Sequence, residues 1–174
     1  VVLFFYPKDF TFVCPTEIIA FDKRYQQFVD KGVEVIGVST DNEFSHMAWR
    51  NTKRRDGGIG PVQYPLVADI DKGISRAYDV LVGDEEALVT NLETGEESIT
   101  TVGGDVAYRA SFLIDKDGLV QHQVVNNLPL GRNIDETMRG VDALQYFEEN
   151  GEVCPAGWKD GKPGMTATPD GVAD

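Results

Sequence analysis

The chain has 174 residues, a formal net charge of −13 at pH 7, two cysteines and two histidines. This length suits one domain with a genuine core, and the negative charge argues against nucleic acid or an anionic membrane as the main partner. Two cysteines are too few for a disulfide-stapled scaffold, and no apolar run reaches the ~20 residues of a membrane span. The few thiols and imidazoles form no convincing zinc site, and neither a metal nor a cofactor is expected.

The first residues, 1–5, form an apolar run that predicts a buried strand, with neither an initiator methionine nor a signal-peptide pattern before it. We interpret the chain as part of a longer protein and expect a cytoplasmic location. A helix is predicted next from the apolar spacing of Ile18, Phe21, Tyr25 and Phe28. Pro15 suits its first position, so Cys14 lies at the positive end of the helix dipole, which favours a thiolate nucleophile over an inert buried thiol.

Strands and helices then alternate, which favours an α/β fold with a central sheet. The first helix ends at Lys31-Gly32, and residues 33–39 predict a second buried strand. Asp41 or Asn42 can cap the next helix. Its predicted inward residues are Phe44, Met47 and Ala48, with Trp49 as an aromatic packing residue.

A basic cluster at the end of that helix complements the negative end of the helix dipole better than it suits nucleic acid: Arg50, Lys53, Arg54 and Arg55. The glycine-rich loop at 55–61 lacks the lysine and the spacing of a phosphate-binding loop, so we reject a nucleotide site there. A short strand at 64–69 and a short helix at 71–78 follow.

Residues 82–105 predict an inserted β-hairpin, with strands at 87–92 and 98–102. The segment is rich in Asp and Glu and contains no Lys or Arg. We interpret it as a solvated acidic excursion, and a partner-binding or interface role is the alternative.

The last third predicts a hairpin of strands 110–115 and 119–125, with His122 as an ordinary sheet residue. Asn133 and Glu136 suit a capping box at the start of the last helix. Its predicted buried stripe is Ile134, Met138, Val141, Leu144 and Phe147. Glycine, proline and polar residues dominate from 150 onward, so we divide the chain into a domain at 1–149 and a mobile tail at 150–174 that carries Cys154.

The residues around Cys14 resemble a known active-site signature. Pro7, Thr11 and Cys14 stand in the spacing Pro-x-x-x-Thr-x-x-Cys, and Pro-Thr-Glu follows the cysteine. This pattern is similar to that of the peroxiredoxins, in particular their typical two-cysteine branch. The resemblance implies a thioredoxin-like fold, with a central mixed sheet flanked by helices, and a thiol peroxidase acting on hydrogen peroxide and small alkyl hydroperoxides.

A thiolate that attacks a peroxide needs donors that align the oxygens and stabilise the leaving oxygen. Thr11 can place its hydroxyl beside the sulfur, and Pro7 can stiffen and shield the loop. The resemblance implies that Arg109, just before the strand Phe-Leu-Ile-Asp, is the active-site arginine, although Ala-Ser replaces the expected Gly-Leu after it. It also implies that Glu17 orients the arginines and that Arg132 is the second one.

Around Cys154, the sequence Gly-Glu-Val-Cys-Pro-Ala-Gly-Trp resembles the resolving-cysteine motif of the same family. The family implies that Cys154 reaches Cys14 of a partner subunit, which requires a homodimer, and that thioredoxin or a flavoprotein disulfide reductase reduces the disulfide. A ring of five dimers is a further expectation, which the segment 82–105 puts in question.

Other features of the family qualify these expectations. Its members usually begin with a β-hairpin and another strand before this point. Residues 57–60 resemble a loop linked to over-oxidation sensitivity, but no Tyr-Phe pair follows Trp158, so we expect resistance to sulfinic acid formation. The alternatives are a ring-forming holdase chaperone and a disulfide oxidoreductase, the latter disfavoured by the lack of a CxxC motif.

Overall fold

The computed structural model describes residues 1–90 and 94–173. Its elements in chain order are β1 (Val2–Phe5), α1 (Cys14–Asp30), β2 (Val35–Ser39), α2 (Glu43–Asn51), β3 (Leu66–Ala68), α3 (Gly73–Ala77), β4 (Asp84–Thr90), β5 (Glu97–Gly103), β6 (Arg109–Ile114), β7 (Val120–Asn126), α4 (Ile134–Asn150) and α5 (Pro169–Ala173). Five strands form one sheet in the order β3-β2-β1-β6-β7. β1, β2 and β3 are parallel, whereas β6 and β7 are antiparallel to their neighbours. The mixed central sheet of the predicted thioredoxin-like fold is confirmed.

The central strand β1 is buried on both faces, as its uninterrupted apolar sequence predicts. Val2 and Phe4 belong to one core cluster, which α1, α2 and α4 complete. Leu3 and Phe5 belong to a second cluster on the opposite face of the sheet. Successive side chains alternate because the strand period is two, so this one strand joins both cores.

The helix α1 begins at Cys14, one residue earlier than its proline suggested, so Pro15 takes the second position. Phe21 of this helix stacks on Phe4 of β1, with 4.4 Å between ring centroids. The predicted end of the helix is confirmed, because Lys31 follows its last residue and Gly32 adopts a φ of 68°. Packing of α1 on β1 thus fixes the place where the chain turns from strand to helix.

The predicted buried face of α2 is wrong. Phe44 and Met47 are 67% and 56% exposed, whereas His46 and Trp49 are buried. The helix is turned this way because His46 meets a buried carboxylate and the Trp49 indole donates to the Gly57 carbonyl at 2.9 Å. A polar side chain that finds its partner inside the protein can be buried in preference to an apolar one.

The start of α4 also differs in part from the prediction. The Asn133 side chain caps the helix by accepting from the Asp135 amide, but the Glu136 carboxylate pairs with Arg139 and forms no capping box. Phe147, predicted inside, is 49% exposed, while Ile134 and Val141 are buried.

The segment 82–105 forms its own two-stranded sheet, in which β4 and β5 pair antiparallel. This pairing agrees with the predicted hairpin, whose residues 91–93 lie outside the described residues. Leu81 and Ala107 form an isolated bridge at its base, and Lys72 pairs with Asp105 at 3.3 Å. The interpretation of the hairpin as an insertion stays a prediction.

The tail after α4 packs back on the domain. Trp158 is only 3% exposed, and Val153 forms a backbone bridge with Met165. The sequence did not predict this packing or the short helix α5. That the tail can detach from the domain stays a prediction. Among the described helices, none has the length and apolar character that crossing a lipid bilayer requires.

Candidate active site

Cys14 occupies the first position of α1, directly after the loop that leaves β1. Its side chain is fully buried, and it is a free thiol. Val13 precedes the helix without a capping hydrogen bond from its side chain. The thiol therefore lies at the positive end of a 17-residue helix and away from bulk water.

The structure brings the guanidinium of Arg109 to this sulfur. Its Nη1 lies 3.2 Å from Cys14 Sγ, across 95 positions of sequence. Arg109 is the first residue of β6, which lies next to β1 in the sheet. Its Nε donates to the Leu128 carbonyl at 2.6 Å. Arg109 is 4% exposed, so its charge acts on the sulfur with little screening by water.

Glu17, one turn after Cys14, holds two arginines in place. Its Oε2 accepts from Arg109 Nη1 at 2.8 Å, and its Oε1 accepts from Arg132 Nε at 2.8 Å and from the Arg132 backbone N–H at 2.9 Å. Burial would raise the pKa of the Glu17 carboxyl, but hydrogen bonds and charge from Arg132, with the charge of Arg109, outweigh burial and lower that pKa. The buried carboxylate is thus ionised and fixes both guanidinium groups.

Arg132 completes the cluster from the turn before α4. It donates to the Ala110 carbonyl, and its guanidinium carbon lies 5.3 Å from the centroid of the Phe4 ring. The ring face favours the cation. The four predicted residues Cys14, Glu17, Arg109 and Arg132 therefore form one contiguous buried group.

The predicted loop residues Pro7 and Thr11 are not part of this buried group. Pro7 is buried beside the end of β1, in keeping with a stiff, shielded loop. The Thr11 hydroxyl donates to the Lys8 carbonyl at 2.9 Å, a partner the sequence analysis did not foresee. Its predicted action on a peroxide beside Cys14 stays a prediction.

A second polar cluster anchors the same loop, and sequence analysis missed it. The Asp9 carboxylate accepts from the Tyr6 hydroxyl at 2.9 Å and the Ser45 hydroxyl at 2.8 Å, and it meets His46 Nδ1 at 2.8 Å. The Asp9 backbone N–H donates to Asp41 at 2.9 Å. The available signal was Asp9 itself, because a carboxylate within a buried loop needs partners.

This cluster also changes the pKa of His46. Burial lowers its pKa, but the hydrogen bond and charge of Asp9, helped by the Val67 carbonyl and the charge of Asp41, outweigh burial and raise the pKa of His46. His46 of α2 and the carboxylate of the loop thus form a buried pair, which is an ion pair when the imidazole is protonated.

Cys154 lies in the tail beside α4, where its thiol faces the Ala143 carbonyl at 3.6 Å. It is a free, half-buried thiol. Burial raises the pKa of Cys154, although the charge of Arg139 opposes this effect. Within one chain Cys14 and Cys154 therefore contact different sets of residues.

Comparison with known proteins adds to this geometry. Residues 1–123 match the family described as AhpC/TSA, and residues 143–174 match the C-terminal domain of 1-Cys peroxiredoxin. Alkyl hydroperoxide reductase C of Helicobacter pylori strain J99 is 58% identical over 174 residues, which are 100% of this chain and 78% of that protein. The chloroplastic 2-Cys peroxiredoxin BAS1 of Arabidopsis thaliana is 48% identical over 170 residues, which are 97% of this chain and 57% of that protein.

Solved structures give the same result. The reduced 2-Cys peroxiredoxin of Plasmodium vivax superposes with a TM-score of 0.86 at 44% identity and covers 99% of this chain and 79% of its own. The AhpC of Enterococcus faecalis gives a TM-score of 0.70 at 33% identity, over 88% of this chain and 80% of its own.

Proposed function

The chain belongs to the AhpC/TSA family, and from this membership and the site geometry we propose that it is a peroxiredoxin that reduces peroxides through Cys14. The observation that carries the proposal is the position of Arg109 Nη1, 3.2 Å from Cys14 Sγ and 2.8 Å from Glu17 Oε2. One fixed cation thus serves the nucleophile and is itself held by a buried carboxylate, which pre-organises the site.

In the first step the Cys14 thiolate attacks one oxygen of the peroxide. An S–O bond forms, the O–O bond breaks, and the leaving oxygen takes a proton to depart as water or an alcohol, so the sulfur becomes a sulfenic acid. Negative charge moves from the sulfur to the leaving oxygen during this step. Arg109, placed at the sulfur, can stabilise that charge throughout, and Thr11 and the backbone N–H groups at the start of α1 are the further donors we propose.

In the second step Cys154 of a partner subunit condenses with the sulfenic acid and gives a disulfide and water. A homodimer is the assembly we propose for it. Support comes from apolar surface beside the site and on the sheet edge: Phe12 is 93% exposed, and Val120 and Val125 on the edge strand β7 are each 48% exposed. Five such dimers in a ring are the proposed larger assembly.

The rest of the cycle follows from the family. We propose that thioredoxin or a flavoprotein disulfide reductase returns both cysteines to thiols, that hydrogen peroxide and small alkyl hydroperoxides are the substrates, and that the protein acts in the cytoplasm. Nothing observed among the described residues favours the holdase or the disulfide oxidoreductase.

Peroxide consumption with a thioredoxin system tests the role of each cysteine. Cys14→Ser is expected to abolish turnover, because the nucleophile is gone. Cys154→Ser is expected to oxidise once per chain and then stop cycling with thioredoxin. Full turnover by Cys14→Ser would contradict the proposal.

Arg109→Lys tests the observation that carries the proposal. Lysine keeps the charge but loses the rigid fork that reaches Cys14, Glu17 and the Leu128 carbonyl together. We expect the second-order rate constant for Cys14 oxidation, measured by stopped flow, to fall on the order of 10²-fold. A rate within twofold of wild type would show that Arg109 does not act on the reacting sulfur.

A further inference from the structure

The tail that carries Cys154 is fastened to α4 by the hydroxyl of Tyr146. This hydroxyl donates to Glu152 Oε2 at 2.7 Å and accepts from the Gly164 backbone N–H at 2.9 Å. Tyr146 belongs to α4, whereas its two partners lie in the tail, one on each side of Cys154. A single hydroxyl therefore holds both flanks of the Cys154 segment against the helix, and we name this arrangement the Tyr146 clasp.

The two flanks are themselves closed on each other. Val153 N–H donates to the Met165 carbonyl at 3.0 Å, and Met165 N–H donates to the Val153 carbonyl at 2.9 Å. The tail approaches α4 closely at Gly164, where an added Cβ would lie 2.7 Å from Tyr146 Cε1 and 2.8 Å from Glu152 Cβ. Only glycine fits this contact, so the clasp is a specific fit between the tail and the helix.

The indole of Trp158 fills the inside of this closed segment. It packs on the Tyr146 ring with 4.9 Å between centroids and donates from Nε1 to the Lys162 carbonyl at 3.0 Å. Arg139 of α4 donates to the Trp158 carbonyl at 3.3 Å. The segment thus has a small core of its own that rests on α4.

Within this segment the Cys154 thiol is held against α4. Its Sγ faces the Ala143 carbonyl at 3.6 Å, and burial raises the pKa of the thiol despite the charge of Arg139. The thiolate is the form that attacks sulfur. Docking therefore disfavours the reactive form and holds the sulfur on the α4 surface.

We propose that Tyr146 is a positioning residue for the resolving step: the clasp keeps Cys154 docked, and its release sets the rate of disulfide formation. This inference rests on the proposed function, in which Cys154 resolves Cys14. In that step the Cys154 thiol loses its proton and its sulfur attacks the sulfur of the Cys14 sulfenic acid. The S–S bond forms, the S–O bond breaks, and the departing hydroxide takes the proton to become water. The rate is proportional to the undocked fraction of the tail.

The first experiment measures docking without any peroxidase chemistry. In a Cys14→Ser background, Cys154 is the one remaining cysteine of the chain, so its alkylation by iodoacetamide reports how often the tail opens. Tyr146→Phe keeps the ring on Trp158 but removes both hydrogen bonds of the hydroxyl, and we expect alkylation to become about tenfold faster. Tyr25→Phe, on α1, is the matched control, and its Cys154 should be alkylated at the same rate as in Cys14→Ser alone. An unchanged rate in Tyr146→Phe would overturn the clasp.

The second experiment tests the consequence for the reaction in the full chain. After mixing with one equivalent of hydrogen peroxide, tryptophan fluorescence follows sulfenic acid formation and then disulfide formation, and mass spectrometry measures Cys14 sulfinic acid at excess peroxide. Tyr146→Phe should leave the first phase unchanged, accelerate the second about tenfold, and raise the peroxide needed for half-maximal sulfinic acid by the same factor.

Gly164→Ala breaks the clasp from the tail side and should act in the same direction, without adding to Tyr146→Phe. Slower or unchanged disulfide formation in both variants, with a normal first phase, would overturn the inference and leave the proposed function intact. Absence of the first phase in wild type would instead overturn the proposed function, while the alkylation result would still report on the clasp.

Discussion

At the scale of single residues, the site consists of two buried polar clusters, one at Cys14 and one within the loop that precedes it. Arg109 contacts Cys14 and is held by Glu17, which also binds Arg132. Asp9 of the loop pairs with His46 of α2. Buried charges are tolerated when each finds a counter-charge or hydrogen bonds, and removal of one partner leaves the other exposed to the full cost of desolvation. Both clusters therefore hold the loop in one conformation.

The His46 ion pair makes the stability of the protein depend on pH. Because the folded state raises the pKa of His46, its contribution is fully present below the unfolded pKa of about 6.5 and is lost as pH rises through the higher folded value. Wild type should therefore exceed His46→Gln in free energy of unfolding by about 2 kcal/mol at pH 6 and by less at pH 9.

Urea unfolding of both proteins across this range measures the difference. His122→Gln is the control: it replaces the second histidine of the chain, on β7, and so separates the effect of the Asp9 contact from the general effect of losing an imidazole. A stability difference that grows with pH would contradict the assigned ion pair.

At the scale of elements, α2 and the loop after it show how tertiary contacts select a helix face. Trp49 and His46 point inward because each has a buried polar partner, and the chain then turns tightly back over the helix end. Arg50 and Arg54 of the basic cluster donate to the carbonyls of Tyr64 and Ile59 at 3.1 and 3.0 Å. The cluster is thus part of the loop structure, in addition to its place at the helix end.

Two adjacent glycines of this loop should respond differently to alanine. Gly57 has a φ of 85° with nothing within 4 Å of an added Cβ, so Gly57→Ala should cost roughly 1–2 kcal/mol of stability through backbone strain alone. At Gly58 an added Cβ would lie 1.9 Å from the Thr52 carbonyl oxygen, so Gly58→Ala should cost more than about 3 kcal/mol. Chemical denaturation of both variants checks this order, and equal losses would contradict the steric argument.

At the scale of the whole molecule, the five-stranded sheet and its helices carry the site, and the two-stranded sheet stands apart. β4 and β5 pair with each other and with no other described strand. The base of the hairpin is closed by Leu81 and Ala107, which lie outside it. The hairpin is therefore joined to the five-stranded domain through few residues at its base.

Replacement of residues 84–103 by a short glycine turn should leave the domain intact. Because the Leu81–Ala107 bridge and the Lys72–Asp105 ion pair remain, we expect the free energy of unfolding to change by less than about 1 kcal/mol and Cys14 oxidation to stay within twofold. Unfolding curves and stopped flow measure both. A changed oligomeric state in size-exclusion chromatography would favour the alternative role of the hairpin as an interface.

The sequence by itself determined the fold class and the chemistry-bearing residues. Apolar runs and helical spacing predicted the order of strands and helices, because burial of one face follows directly from side-chain periodicity. The motifs around Cys14 and Cys154 predicted which thiols and arginines belong to the site, because those residue types supply a nucleophile and a fixed cation.

Only the tertiary structure decided which residues meet. The partner of Cys14 is 95 positions away, the His46–Asp9 pair joins a helix to a loop, and the Tyr146 hydroxyl meets Gly164 across the tail. Such contacts depend on the packing of separate elements. Hydrogen bonds formed in that packing outweighed the local hydrophobic pattern in α2, and they join the tail to α4. Local sequence encodes propensity, whereas the satisfaction of buried polar groups is settled by the whole chain at once.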